Sequence, residues 1–353
     1  MHAYTLWYTN NPVIEKYTFH YESILREKIQ KLNTDGIISS EFLSLPSEFL
    51  LIPDISSNFD SFDAKVLPFL WNEWENYKKS WLDWMESTKG KRIPWTQILL
   101  TPHDWNPDRY LEAHPDRINS WNTLDFWWKS DSEWFQLFEK SFAILTAISP
   151  GFTDELSKMI RKIIPMGISH GTHNSASYSR CIGHIYMSYP SGMQYSELAL
   201  LEAIIHESNH NKLNLILRCE LLLNNTFHEI YYSPYRPDPR HIHGIYLWLH
   251  AMVWVFSIFF EAVERWLLTL DGGWMEKSLA YVMKNALSIR VLERYGQFTK
   301  KWEEIFLEMK TLHQETSNRI KYLAIPDEFR HHATERVHEH FKKALHDAPF
   351  IHY

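Results

Sequence analysis

"SELALLEAIIHESNHNKLNLILRCELLL", residues 196–223, carries apolar residues on a wide stripe and offers Ser196 as an N-cap. The spacing predicts one long, mostly buried helix. Within it, "AIIHESNHNKL" (203–213) places two histidines four apart, with Glu207 directly after the first. Residues four apart on a helix differ by about 40° around the axis, so His206 and His210 project from one face and can share a metal. Glu207 lies about 100° from His206, where it reaches a water on that metal more easily than the metal itself. An HExxH pattern arises by chance in about 0.09 of shuffled chains of this composition. Position therefore counts more than pattern: unpartnered imidazoles inside an apolar run are costly, which favours a metal over satisfied core histidines.

Downstream, "GIYLWLHAMVWVFSIFFEAVERW" (244–266) is long enough to raise a transmembrane reading. His250 in its middle and Glu261 near its end argue against lipid, so it is expected to be a buried helix packed on the first. A metal that does chemistry needs a third ligand and open positions. His250 is the first candidate, His243, seven residues earlier on the same face, the second, and Glu261 the third. Each is otherwise an ordinary polar residue of a helix end or interior.

Further out, "DSEWFQLFEKSFAILTAI" (131–148), capped by Asp131 or Ser132, and "FTDELSKMIRKIIPMG" (152–167), capped by Thr153 and stopped at Pro165, are expected as a helical hairpin. "GHIYMSY" (183–189) alternates like a strand. Helices are expected around 275–295 and 298–322, followed by a His-rich end. The fold class is mainly α with a small β element (α+β). Residues 131–353 are read as a mainly helical catalytic domain with the metal site, and 1–130 as a Trp-rich region of uncertain role. In that region "FLWNEWENYKKSWLDWM" (69–85) sets Trp71, Trp74, Trp81 and Trp84 at helical intervals as a core-facing stripe, and 101–121 reads as a loop.

The chain has 353 residues, 45% hydrophobic, enough for a sizeable core. Its formal net charge of −7 and the lack of a basic block exclude nucleic acid as a favoured partner. No secretion signal is read at the start, and two cysteines, Cys181 and Cys219, make no disulfide framework, so a cytoplasmic setting is expected. Sixteen tryptophans exceed what one core readily consumes, and Trp127, Trp128 and Trp134 are candidates for a peptide groove. Five histidines near the C-terminus, His331, His338, His340, His346 and His352, are read as a solvated helix and tail.

Taken together, "SAS" (175–177), "LALLEAIIHESNHNKL" (198–213), "YYSPYRPDPR" (231–240) followed by "HIHG" and an apolar helix, and "IIPMG" at 163–167 resemble one family. It is that of the α-ketoglutarate-dependent HExxH-type peptide β-hydroxylases associated with ribosomally made, modified peptides. The resemblance covers roughly residues 135–265. It implies an iron(II) centre at which α-ketoglutarate and O2 react and a β-hydrogen is taken from a residue of a precursor peptide. His206 and His210 become iron ligands. Arg236 or Arg240 becomes the cation for the far carboxylate of α-ketoglutarate, a task that suits a planar guanidinium. The alternative for both arginines is a pairing with Asp238 that fixes the turn. The chain departs from the family where His241 stands in place of a frequent Pro and Leu247 in place of a frequent His or Gln. His243 and His250 share the face of Leu247 and are the substitutes for a ligand there.

Two other functions compete. A zinc metallopeptidase would use Glu207 as general base on a zinc-bound water, with Glu261 as the third ligand. The paired arginines favour a dicarboxylate co-substrate instead, and in an oxygenase Glu207 is expected to make supporting hydrogen bonds. A non-catalytic peptide-binding protein would use the histidines structurally.

Overall fold

The computed structural model describes residues 91–93, 96, 98–100, 129–171, 173–178, 183–219, 221–226 and 229–347, with single helical positions between 20 and 35. Seven helices dominate these residues: α1 (Asp131–Ile148), α2 (Pro150–Met159), α3 (Ser196–Cys219), α4 (Ile242–Glu264), α5 (Gly272–Tyr295), α6 (Lys300–Tyr322) and α7 (Asp327–Asp347). A small mixed sheet accompanies them. Its strands are β1 (Lys91–Arg92), β2 (Leu99–Leu100), β3 (Lys162–His170), β4 (Ser175–Ala176) and β5 (His184–Ser191), in the order β1-β2-β3-β5-β4. β3 runs parallel to β2 and β5, while β1 and β4 run antiparallel to their neighbours. The protein is thus mainly helical with a small β element. The Trp-rich stretch at 69–85, the loop at 101–121, and Trp127 and Trp128 lie outside the described residues.

α3 is the central element. It packs on α4, α1, β5 and α2, and α4 in turn packs on α5 and α6. α4 is apolar all round because it is enclosed all round: it is long and apolar enough to cross a membrane, yet 83% of its most apolar window is buried inside the protein. Polar side chains fix how α3 sits. The Ser141 hydroxyl of α1 donates to the Glu197 carbonyl at 2.9 Å. Asn211 accepts from the Gly183 N–H at 2.7 Å and donates to the His184 carbonyl at 3.1 Å, which ties the middle of α3 to the start of β5.

Four expectations are corrected. The segment 152–167 is not one helix: α2 begins at Pro150 and ends at Met159, and Ile160 is already extended. Ile163, Ile164, Pro165 and Gly167 belong to β3, where the β-branched residues are buried. A proline fits there because the ladder with β5 is irregular between Pro165 and Ile168, and β2 pairs only with Lys162 and Ile163. Thr153, read as a cap, instead donates its hydroxyl to the Ser149 carbonyl at 3.2 Å within the helix. Ser130, not Asp131 or Ser132, caps α1: the Glu133 N–H donates to its hydroxyl at 3.3 Å and the Ser130 N–H donates to the Glu133 carboxylate at 2.8 Å. Ser196 does not cap α3 with its side chain but donates to the Pro190 carbonyl at 2.9 Å.

Residues 91–100, from the N-terminal side of residue 130, contribute two strands and bury Ile93, Ile98 and Leu100 in the same core as α1 and α3. Phe138 on α1 is fully buried, between Trp134 and Phe142. Phe138→Ala is expected to cost about 3–5 kcal/mol, read as a lower urea midpoint with an unchanged slope.

Candidate metal centre

α3 brings its polar run HESNHNK into the protein interior, and each side chain of the run needs an answer there. His206 and His210 are both buried, with ring centroids 4.2 Å apart at an interplanar angle of 82°. Trp248 of α4 covers them, 5.0 Å from His206 and 6.1 Å from His210. The two imidazoles are therefore neighbours on one face, as their spacing requires.

Glu207 points elsewhere. The Ser175 hydroxyl donates to its Oε1 at 2.7 Å and the Ser177 hydroxyl to its Oε2 at 2.6 Å. The SAS segment, with β4 at its start, places these serines: β4 pairs with β5, and Asn211 holds β5 against α3. Both carboxylate oxygens are thus engaged by hydroxyl donors across the gap between sheet and helix. Lys212, fully enclosed, meets Glu155 of α2 at 2.5 Å, with both side chains only 3% exposed. Burial raises the Glu155 carboxyl, and the Lys212 ammonium pulls it back down.

His250 of α4 is buried, and burial, then the charges of Lys212 and His210, push its imidazole down to about 3. It stays neutral and donates to the Asn209 backbone carbonyl. His243 is partly buried at the first turn of α4, donates to the Leu223 carbonyl, and is pushed down by burial and by His241. Glu261 is paired with Arg265 and with Arg319, so the third choice of ligand is spent on ion pairs at the far end of α4. Among the described residues no group of three His, Cys, Asp or Glu side chains is arranged to hold a metal. Among the described residues the structure joins His206 to His210, and His250 lies near enough to His210 for the two to act on each other electrostatically.

Arg236 and Arg240 lie on a loop closed by the Tyr231–Arg240 bridge, and Asp238 sits between them. Arg236 Nε is 3.4 Å from one Asp238 oxygen and Arg240 2.6 Å from the other. All three side chains are about half exposed, and the two arginines share one carboxylate.

Several site residues escaped the sequence. Tyr235 stacks on Trp248 at 5.6 Å and on Tyr281 of α5 at 6.2 Å, and its hydroxyl donates to Asn285 at 2.6 Å. A row of rings therefore leads away from the histidine pair. Lys277 of α5 meets Glu202, one turn before His206, at 2.5 Å. Trp134 is buried against Phe138 and Tyr189 in the core and lines no groove. His332 pairs with Glu276 and His340 contacts the Ser233 carbonyl, so these members of the C-terminal helix make separate contacts.

Breaking the Lys212–Glu155 pair on one side leaves a buried charge. Lys212→Met alone is expected to cost about 3–5 kcal/mol, while Lys212→Met with Glu155→Leu is expected to recover most of that loss. Denaturant melts of the two variants compare directly. Ser175→Ala and Ser177→Ala are each expected to cost about 1–3 kcal/mol in the same assay, because each leaves a buried carboxylate oxygen short of a donor.

No protein-family model matches this chain, and no curated protein matches it.

Proposed function

We propose that the chain is an iron(II)- and α-ketoglutarate-dependent dioxygenase that hydroxylates the β-carbon of a residue in a ribosomally made precursor peptide. The observation that carries this reading is the division of labour within HExxH. His206 and His210 face each other, while Glu207 is turned to Ser175 and Ser177. A zinc peptidase needs that carboxylate as a proton acceptor at the metal, whereas an oxygenase leaves it as a support for the ligand helix.

Two buried imidazoles on one helix face fit two positions of an iron(II) site. His250 is the proposed third ligand: its donation to a backbone carbonyl is the orienting contact that ligating histidines commonly make. His243, held at the start of the same helix, is the substitute. Iron, once bound, supplies the redox chemistry by which O2 and α-ketoglutarate oxidise a C–H bond.

The chain's own residues do the rest. Arg236 or Arg240 receives the far carboxylate of α-ketoglutarate in exchange for Asp238, a swap of one carboxylate for another at a guanidinium. Trp248 covers the histidine pair and limits water there. The stack of Trp248, Tyr235 and Tyr281, with Tyr235 buried between the other two, holds Trp248 in place over the histidines. The reading places the protein in the cytoplasm with a peptide partner, and with neither nucleic acid nor membrane as substrate.

Anaerobic titration of the iron(II)-loaded protein with α-ketoglutarate is expected to raise a visible charge-transfer band. His206→Ala and His210→Ala are expected to lose iron and the band together. Arg240→Ala is expected to keep the iron and need at least about tenfold more α-ketoglutarate. Absence of the band, with tight zinc binding and peptide cleavage lost in Glu207→Gln, would make the protein a metallopeptidase instead.

A further inference from the structure

The loop that carries both arginines is also held by the C-terminal helix. α7 is anchored near its start on α5 and α6: His332 Nδ1 lies 2.9 Å from the Glu276 carboxylate of α5, and the Arg330 guanidinium donates to the Ile320 carbonyl of α6 at 3.2 Å. It then packs along α5 and, about two turns after His332, meets the 231–240 loop. There His340 Nε2 lies 3.0 Å from the Ser233 carbonyl, and the Phe341 ring stands edge-on to the buried Tyr232 at 5.3 Å. A carbonyl only accepts, so Nε2 carries the proton and donates. Burial lowers this imidazole, the Ser233 carbonyl offsets part of that, and the charges of Lys284 and Lys343 lower it further, so the ring donates in its neutral form.

Ser233 is buried and stands where the loop divides its tasks. Its hydroxyl accepts from the Arg236 N–H at 3.2 Å, which closes the turn that presents Arg236. Two residues after it, Tyr235 stacks on Trp248 at 5.6 Å, and Trp248 covers His206 and His210. One hydrogen bond from α7 therefore stands at the root of two branches, one to the guanidinium and one to the cover of the histidine pair. Without that donor, the carbonyl of a buried residue loses the partner that α7 gives it, and the turn is released on that side.

We propose that His340 is a positioning residue for the co-substrate: by holding the Ser233 carbonyl, it fixes the loop so that Arg236 and Arg240 stand where the far carboxylate of α-ketoglutarate arrives. This rests on the dioxygenase reading above and gives the C-terminal helix a part in it. His340 acts through the loop rather than on the co-substrate itself. A guanidinium recognises a carboxylate by direction as well as by charge, so a turn that shifts by a fraction of a bond length weakens the pair without touching the iron ligands.

Two measurements on the full-length protein test this, with His340→Ala, His340→Phe, which keeps a ring but removes the donor, and His340→Gln, whose amide N–H restores one. Hydrogen–deuterium exchange on metal-free protein reads the loop itself, because the Tyr231 and Arg240 N–H groups donate to each other's carbonyls and the Arg236 N–H to Ser233. The alanine and phenylalanine variants are expected to exchange about fivefold faster across 231–240, with α3 unchanged, and the glutamine variant to match wild type. Anaerobic titration of iron(II)-loaded protein is expected to show the same pattern: about fivefold more α-ketoglutarate needed without the donor, iron retained, and the wild-type requirement restored by glutamine. Thermal melts confirm the fold of each variant. Unchanged exchange in the loop, an unchanged α-ketoglutarate requirement, or a defect that glutamine shares in full would each overturn the assignment. A wild-type protein that gives no charge-transfer band marks the failure of the dioxygenase reading, and the assignment falls with it. A normal wild-type band with unaffected donor-less variants marks the failure of this assignment alone.

Discussion

A helix that buries a carboxylate, two histidines, two asparagines and a lysine within seven residues is stable only if each polar group finds a partner inside. That constraint organises the structure around α3. Glu207 receives two serine hydroxyls, Asn211 clasps the backbone at the start of β5, Asn209 donates to the Ile205 carbonyl of its own helix, and Lys212 meets Glu155. Each partner comes from a different element, so the sheet, α2 and α3 are positioned together. The two histidines face Trp248, on the side where the protein offers stacked rings rather than carboxylates.

This arrangement separates two jobs that HExxH performs together in a hydrolase. In this chain the acid is held by serine hydroxyls, while the two histidines face each other and Trp248. This hold also explains the small sheet: β4 is only two residues long, yet it seats one serine of the pair on the Glu207 carboxylate and leads directly to the other. The loop at 231–240 plays a parallel part on the opposite side of the histidine pair. Its Tyr235 bridges Trp248 of α4 and Tyr281 of α5, which ties the loop to both helices.

Much of this was legible in the sequence, because local rules governed it. The apolar stripes of α1, α3 and α4, the alternation of β5, and the two later helices appear within a few residues of where periodicity places them. The misreading at 152–167 has a physical cause. A proline after an apolar run looks like the end of a helix, but Ile163 and Ile164 are β-branched and pair in parallel with β5, a partner that no local pattern announces. The candidate site divides in the same way. The facing of His206 and His210 follows from spacing alone, and the pairing of Arg236 and Arg240 with Asp238 follows from their crowding in one turn. Ser175 and Ser177 on Glu207, and Glu155 on Lys212, join residues thirty to fifty-seven positions apart. Such contacts depend on how elements pack, and the sequence shows only that some partner must exist.

The parallel pairing of Leu99 and Leu100 with Lys162 and Ile163 has a consequence for any fragment of the chain. The Leu99 N–H donates to the Arg161 carbonyl at 2.9 Å, so β2 occupies hydrogen-bonding groups at the start of β3 that would otherwise face outward. A fragment that begins at residue 131 keeps the helices and the histidine pair but presents the N-terminal end of β3 as an open sheet edge. Such edges recruit strands from other molecules, and Ile163 lies there without the cover of Leu100. The short β1–β2 segment therefore covers that edge, and a helical core cut free of it is open to strand pairing between copies.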